Sequence, residues 1–132
     1  MLLEEICKFV VQINPVQFNA MQIIRTASPL VKIWEEREHD YTEMMKIVVD
    51  VDNEILAIDG DMHADLEKLL LESGSMQQSL WGANVYPDGT DDDFIEYTSF
   101  INIRPSQGTR SMEVLDNELR KKIFNIVKKL LI

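Results

Sequence analysis

Residues 46 to 58, KIVVDVDNEILAI, confine the possible folds more than any other stretch. Ile47, Val49 and Val51 alternate with Lys46, Val48, Asp50 and Asp52, the two-residue period of a β-strand. Asp52-Asn53 is a tight-turn pair, and Glu54 to Ile58 supplies a strand after it. Two strands this close in sequence pair antiparallel, so the domain is built on a β-hairpin.

The elements around the hairpin follow from local signals. Upstream, MQIIRT reads as a short strand, and Ser28 caps a helix whose first position is Pro29, where a missing N–H costs nothing. Leu30, Ile33, Trp34 and Arg37 share one face of this helix, which is expected to run to about Tyr41. Downstream, Asp59-Gly60-Asp61 breaks the strand. HADLEKLLLESG is then a helix with Met62, Leu66, Leu69 and Leu70 inward, Asp61 or His63 as its cap, and Gly74 past its end. The polar loop 73 to 79 leads into a fourth strand, Leu80 to Tyr86, and PDGTDDD turns the chain into a fifth, Phe94 to Ile103, which Pro105 stops. Asp116 caps a last helix striped by Leu119, Ile123, Ile126, Val127 and Leu130, with Lys128 and Lys129 in its final turn.

The expected fold is therefore α+β: a largely antiparallel sheet of about five strands with helices packed on one face, in the order β-α-β-β-α-β-β-α. It occupies residues 21 to 132 as a single domain, after an N-terminal appendage at 1 to 20. In that appendage Leu2, Leu3, Ile6, Phe9, Val10 and Ile13 fall at helical spacing, while Cys7, Phe9, Val11 and Ile13 alternate as in a strand. Asn14-Pro15 ends either element.

Charge narrows the partners. Acidic side chains outnumber basic ones 23 to 13 in 132 residues, a net charge of −10 that disfavours nucleic acid and anionic membrane. The single cysteine, Cys7, has no internal disulfide partner, and the start MLLEEI lacks the basic n-region of a secretory signal. No apolar run reaches the roughly 18 residues of a membrane span. A soluble, cytoplasmic protein is expected, with a homodimer or another protein partner left open.

Several polar residues stand where chemistry is possible. Asp50, Asp52, Asp59, Asp61, His63, Asp65 and Glu67 are carboxylates and an imidazole within eighteen residues. Asp50 and Asp52 share a strand face that the hairpin can bring near Asp59, which makes Asp50 a metal candidate. Turn formation, helix capping and solubility account for the same residues without a metal. His63, Glu67 and Asp65 are the catalytic candidates, His63 or Glu67 as the proton carrier. Ser73, Ser75 and Ser79 lack a nucleophile-elbow context, and the acidic loop Asp88 to Asp93 lacks the ligand order of a calcium loop. Arg104 and Arg110 flank a glycine-bearing loop and suit either a bound anion or the protein's own carboxylates. Trp81, beside Gly82, suits a pocket floor or the core.

The segments KIVVDVDNEILAIDGDMHADLEKLLLESGS, LWGANVYP and INIRPSQGTRSMEVLDNELRKKIFNIVKKLL resemble a family of small bacterial domains of unknown function, over about residues 21 to 132. The spacing of H-A-D-x-E, W-G and I-N-I-R-P carries the resemblance. It implies polar family positions at Asp50, His63, Asp65, Glu67, Trp81, Asn102, Arg104 and Arg110, with Trp81, Asn102, Arg104 and Arg110 as ligand-binding candidates. Family members often have glutamate or glycine at the positions of Asp52, Asp59 and Asp61, which argues against a metal cage on all of them. The resemblance also implies a start near Met21, which would make the first twenty residues either an added segment, such as a dimerisation element, or the product of an upstream start codon. It assigns no activity and leaves any cofactor unknown. The expected function is a small non-catalytic binding or interaction domain. The alternative is a small enzyme or anionic-ligand-binding protein with a pocket built from His63, Asp65, Glu67, Trp81, Arg104 and Arg110.

Overall fold

The structure, a computed structural model, describes residues 20–39 and 42–132. The expectations for residues 1 to 19 lie outside the described residues. Among those described, five strands and three α-helices follow in the order β1 (Gln22–Ile24), α1 (Leu30–Glu36), β2 (Met45–Asp50), β3 (Ile55–Ile58), α2 (His63–Glu72), β4 (Leu80–Val85), β5 (Ile95–Glu96) and α3 (Asn117–Leu130). The strands form one antiparallel sheet in the order β1-β3-β2-β4-β5. The α+β class and the succession of elements are those the sequence predicts.

The hairpin sits at the centre, with Ile47 opposite Ile58 and Asp50 opposite Ile55. Its turn is longer than a two-residue Asp-Asn loop. Residues 51 to 54 form it, Glu54 takes a positive φ of 55°, and the Asp50 carboxylate accepts the N–H groups of Asp52 (3.0 Å) and Asn53 (2.9 Å). An aspartate bonding forward to the backbone in this way stabilises a turn that the strand ladder does not reach.

The helices do not lie on one face. Ile24, Ile47, Val49, Leu56, Ile58, Trp81, Ala83 and Val85 pack against Leu30 and Ile33 of α1 and Ile123, Ile126, Val127 and Leu130 of α3. On the other face Val48, Ile55, Ala57 and Leu80 pack against Leu66 and Leu70 of α2. The physical reason is that the central strands are apolar on both sides. Each buried leucine or valine contributes about 1.5–3 kcal/mol, so leaving Val48 and Ala57 uncovered would cost too much.

Two further boundaries differ from expectation. Ser28 does not cap α1, because its backbone is held by the chain end: Ser28 N–H donates to Leu130 O (2.8 Å) and Ile132 N–H to Ser28 O (3.0 Å). Its hydroxyl donates to Thr26 O (3.0 Å) instead, and α1 stops at Glu36, where Arg37 turns to an extended ψ of 140°. The fifth strand is also far shorter than Phe94 to Ile103. Ser99 Oγ accepts the Ile101 N–H (3.2 Å) and nucleates a 3-10 turn at Phe100–Asn102. Local side-chain bonds of this kind compete with strand pairing.

Candidate functional site

Because β5 pairs only with Asn84 and Val85, the outer edge of β4 from Leu80 to Ala83 lacks a strand neighbour. Two side chains of the I-N-I-R-P segment take that neighbour's place. Asn102 Oδ1 accepts the Gly82 N–H (2.9 Å), while its Nδ2 donates to Gly82 O (3.0 Å) and Met112 O (3.0 Å). Arg104 donates from Nη2 to Leu80 O, from Nη1 to Gln77 O (2.8 Å) and from Nε to Ile101 O (3.0 Å). Both residues are buried, and their polar groups are committed to the backbone. The glycine of W-G has a matching role. A Cβ at Gly82 would lie 2.5 Å from Ser99 Cβ, so only glycine lets the turn approach β4 this closely.

Arg104 also joins the two sides of the sheet. Its guanidinium carbon lies 4.8 Å from the centre of the Trp81 ring, and Nη2 lies 3.6 Å from Glu67 Oε2 on α2. That separation is an ion contact without a hydrogen bond. Burial pushes the Glu67 carboxyl above its ordinary value, which the Arg104 charge and the Gln77 side chain offset only in part.

One turn earlier on α2, His63 is the first helical residue, and the N-cap position is Met62, with no side-chain cap. Neither Asp61 nor His63 fills the expected capping role. His63 Nε2 lies 2.8 Å from Ala83 O, and since a carbonyl only accepts, Nε2 carries the hydrogen. Burial holds the ring below the ordinary 6.5, helped by the Lys46 charge and opposed by the Ala83 carbonyl and the Asn84 amide. The ring is therefore neutral at pH 7, with Nδ1 as its lone-pair nitrogen.

The His63 ring lines a cleft of about 370 Å³ with Lys46, Met62, Ala64, Asn84, Thr98, Ser99, Phe100, Ile101 and Met112. Phe100 is 78% exposed, Met62 55% and Met112 37%. Sequence reasoning missed Lys46, Phe100, Met62 and Met112. The one available signal was Ser99 just before Phe100, a residue type that starts turns.

The remaining candidates fall elsewhere. Trp81 and Arg110 line a second cavity, of about 220 Å³, beside α3. His63 and Trp81 belong to opposite faces of the sheet, so the six residues of the alternative pocket do not converge on one cavity. Asp65 is exposed in the first turn of α2, where its charge suits the helix dipole. Asp50 and Asp59 stand at opposite ends of the hairpin, contrary to the expected proximity, because Asp50 pairs with Ile55 and Asp59 follows Ile58. The Asp50 carboxylate also accepts Asn53 Nδ2 (2.8 Å) and Ser75 Oγ (2.6 Å). Burial alone would raise its pKa, but these bonds outweigh it and hold the carboxyl below the ordinary range. Asp59 accepts the Glu38 N–H (3.1 Å) and contacts His39 Nδ1 (2.9 Å). Among the described residues no group of three or more His, Cys, Asp or Glu is placed to hold a metal ion, and no helix is long and apolar enough to cross a membrane.

Of the three motifs, Gly82, Asn102 and Arg104 thus build the open edge of β4, and His63 bonds the Ala83 carbonyl of the same strand. No curated protein and no solved structure matches the chain. A family model described as a protein of unknown function, DUF5674, matches residues 22–130, from the first strand to the end of α3. The chain belongs to the DUF5674 family.

Proposed function

We propose that this protein is a small interaction domain without chemistry of its own, which binds a protein segment in the cleft between α2 and the Phe100 turn. The observation that carries the reading is the cleft's lining: three exposed apolar side chains, Lys46, a neutral His63 and no carboxylate, in a chain of net charge −10. Exposed phenylalanine and methionine gathered at one concave place mark contact surfaces rather than solvated ones. The Lys46 ammonium bonds Asp61 O (2.8 Å) and has no carboxylate partner among the described residues. The fitting occupant presents an apolar side chain next to a carboxylate. The reading of a small enzyme or anion site formed by His63, Asp65, Glu67, Trp81, Arg104 and Arg110 has less support, since Arg104 is engaged with Glu67 and with three backbone carbonyls.

Selection of a displayed peptide library on the immobilised protein tests this. Recovered peptides should share an apolar residue beside Asp or Glu, and Phe100→Ser and Lys46→Glu should each weaken their binding about tenfold or more. Peptides retained equally by Phe100→Ser would exclude the cleft. A Phe100-dependent dimer in sedimentation would replace the foreign partner with a second copy of the chain.

A further inference from the structure

The cavity floored by Trp81 lies on the other side of the sheet from the Phe100 cleft and has a different character. Val114, Leu115 and Leu119 join the indole as its apolar lining, and Arg110, Glu113 and Asp116 bring charges of both signs. Asp116 is already occupied as the cap of α3, accepting the N–H groups of Glu118 (2.9 Å) and Leu119 (3.3 Å). Arg110 and Glu113 are different. Among the described residues neither has an ion-pair partner, and they do not pair with each other, although they line one cavity. The Glu113 backbone is set by its N–H bond to Ser111 Oγ (3.1 Å) and by its bridge to Thr98. Arg104 fixes the Trp81 ring from the side of the open edge of β4, at 4.8 Å.

We propose that this cavity binds a free apolar α-amino acid. The carboxylate of the ligand would meet the Arg110 guanidinium, its ammonium would meet the Glu113 carboxylate, and its side chain would rest on Trp81, Val114 and Leu119. Three physical points converge on this class. Opposite charges on one cavity that leave each other unpaired are complementary to a zwitterion, while a simple anion would suffer from Glu113 and a simple cation from Arg110. The apolar lining of the same cavity, Trp81, Val114 and Leu119, selects an apolar side chain. At about 220 Å³ the cavity falls below the roughly 300 Å³ at which drug-sized pockets begin, so the occupant is of about amino-acid size.

Calorimetric titration of the unaltered chain with L-leucine and L-phenylalanine, beside Trp81 emission followed in a Trp34→Phe background, tests the site. Saturable heat and a saturable emission change are expected with either amino acid. Binding should weaken about tenfold or more in Arg110→Ala and in Glu113→Gln, and for N-acetyl-L-leucine and L-leucinamide, each of which lacks one of the two charges. Phe100→Ser should leave it unchanged, which separates this site from the peptide cleft. Absence of binding by both amino acids overturns the proposal. So does N-acetyl-L-leucine binding as tightly as leucine, which would leave only a carboxylate contact, and so does full binding by Arg110→Ala.

Discussion

His63 shows how a residue that invites a chemical reading is held by ordinary packing. Its Nε2–H is spent on Ala83 O at 2.8 Å, and burial with the Lys46 charge keeps the ring neutral. The pH dependence follows from the sign of that shift. The folded-state pKa lies below the unfolded 6.5, so the unfolded chain takes up the proton first as the pH falls. The stability associated with His63 is fully present above pH 6.5 and is lost as the pH drops through it toward the folded value. Glu67 runs in the opposite sense. Its carboxyl is raised above 4.5, so the contribution of its protonated form is present below 4.5 and lost as the pH rises through the folded value. Melting temperature measured from pH 8 to pH 5 should fall for the unaltered chain and fall less for His63→Gln, which keeps a donor for Ala83 O but does not titrate. Glu67→Gln should leave the His63 component in place.

At the scale of elements, the open edge of β4 decides most of what the family motifs do. A strand edge left bare carries unpaired N–H and C=O groups, each costing about 1–3 kcal/mol if buried without a partner. Asn102 satisfies both groups of Gly82, and Arg104 satisfies Leu80 O. The turn that carries them lies close enough for a side chain at residue 82 to collide with Ser99. Gly82→Ala is therefore expected to destabilise the fold by about 1–3 kcal/mol, the cost of an overpacked methyl group, as read from urea unfolding midpoints. An unchanged midpoint would mean that the Phe100 turn is free to move away from β4.

For the whole molecule, the decisive fact is that the sheet is covered on both faces, by α2 on one and by α1 and α3 on the other. Leu70 and Ile126, buried on opposite faces, should then be comparably important. Leu70→Ala and Ile126→Ala are each expected to cost about 2–5 kcal/mol in denaturant unfolding. A near-silent Leu70→Ala would contradict the second layer.

The sequence by itself determined the elements that local physics controls. Alternation set the central hairpin, turn residues set its ends, and Asp116 with the stripe from Ile123 to Leu130 set α3. These depend on neighbours within a few residues, so a linear reading finds them. The unbroken apolar runs IVV and ILAI also carried the sign of a doubly covered sheet, which the reading of helices on one face passed over. The partners of Asn102, Arg104, Glu67 and His63 were decided only in three dimensions. Each bonds or pairs across 20 or more residues, to β4 or to an element beside it. The same holds for the two cavities: Phe100 is exposed because a serine-started turn replaces a strand, and Trp81 and Arg110 line one cavity because the chain returns beside α3. Spacing fixes which residues share an element, while the closing of one element on another fixes which polar groups are left free for a ligand.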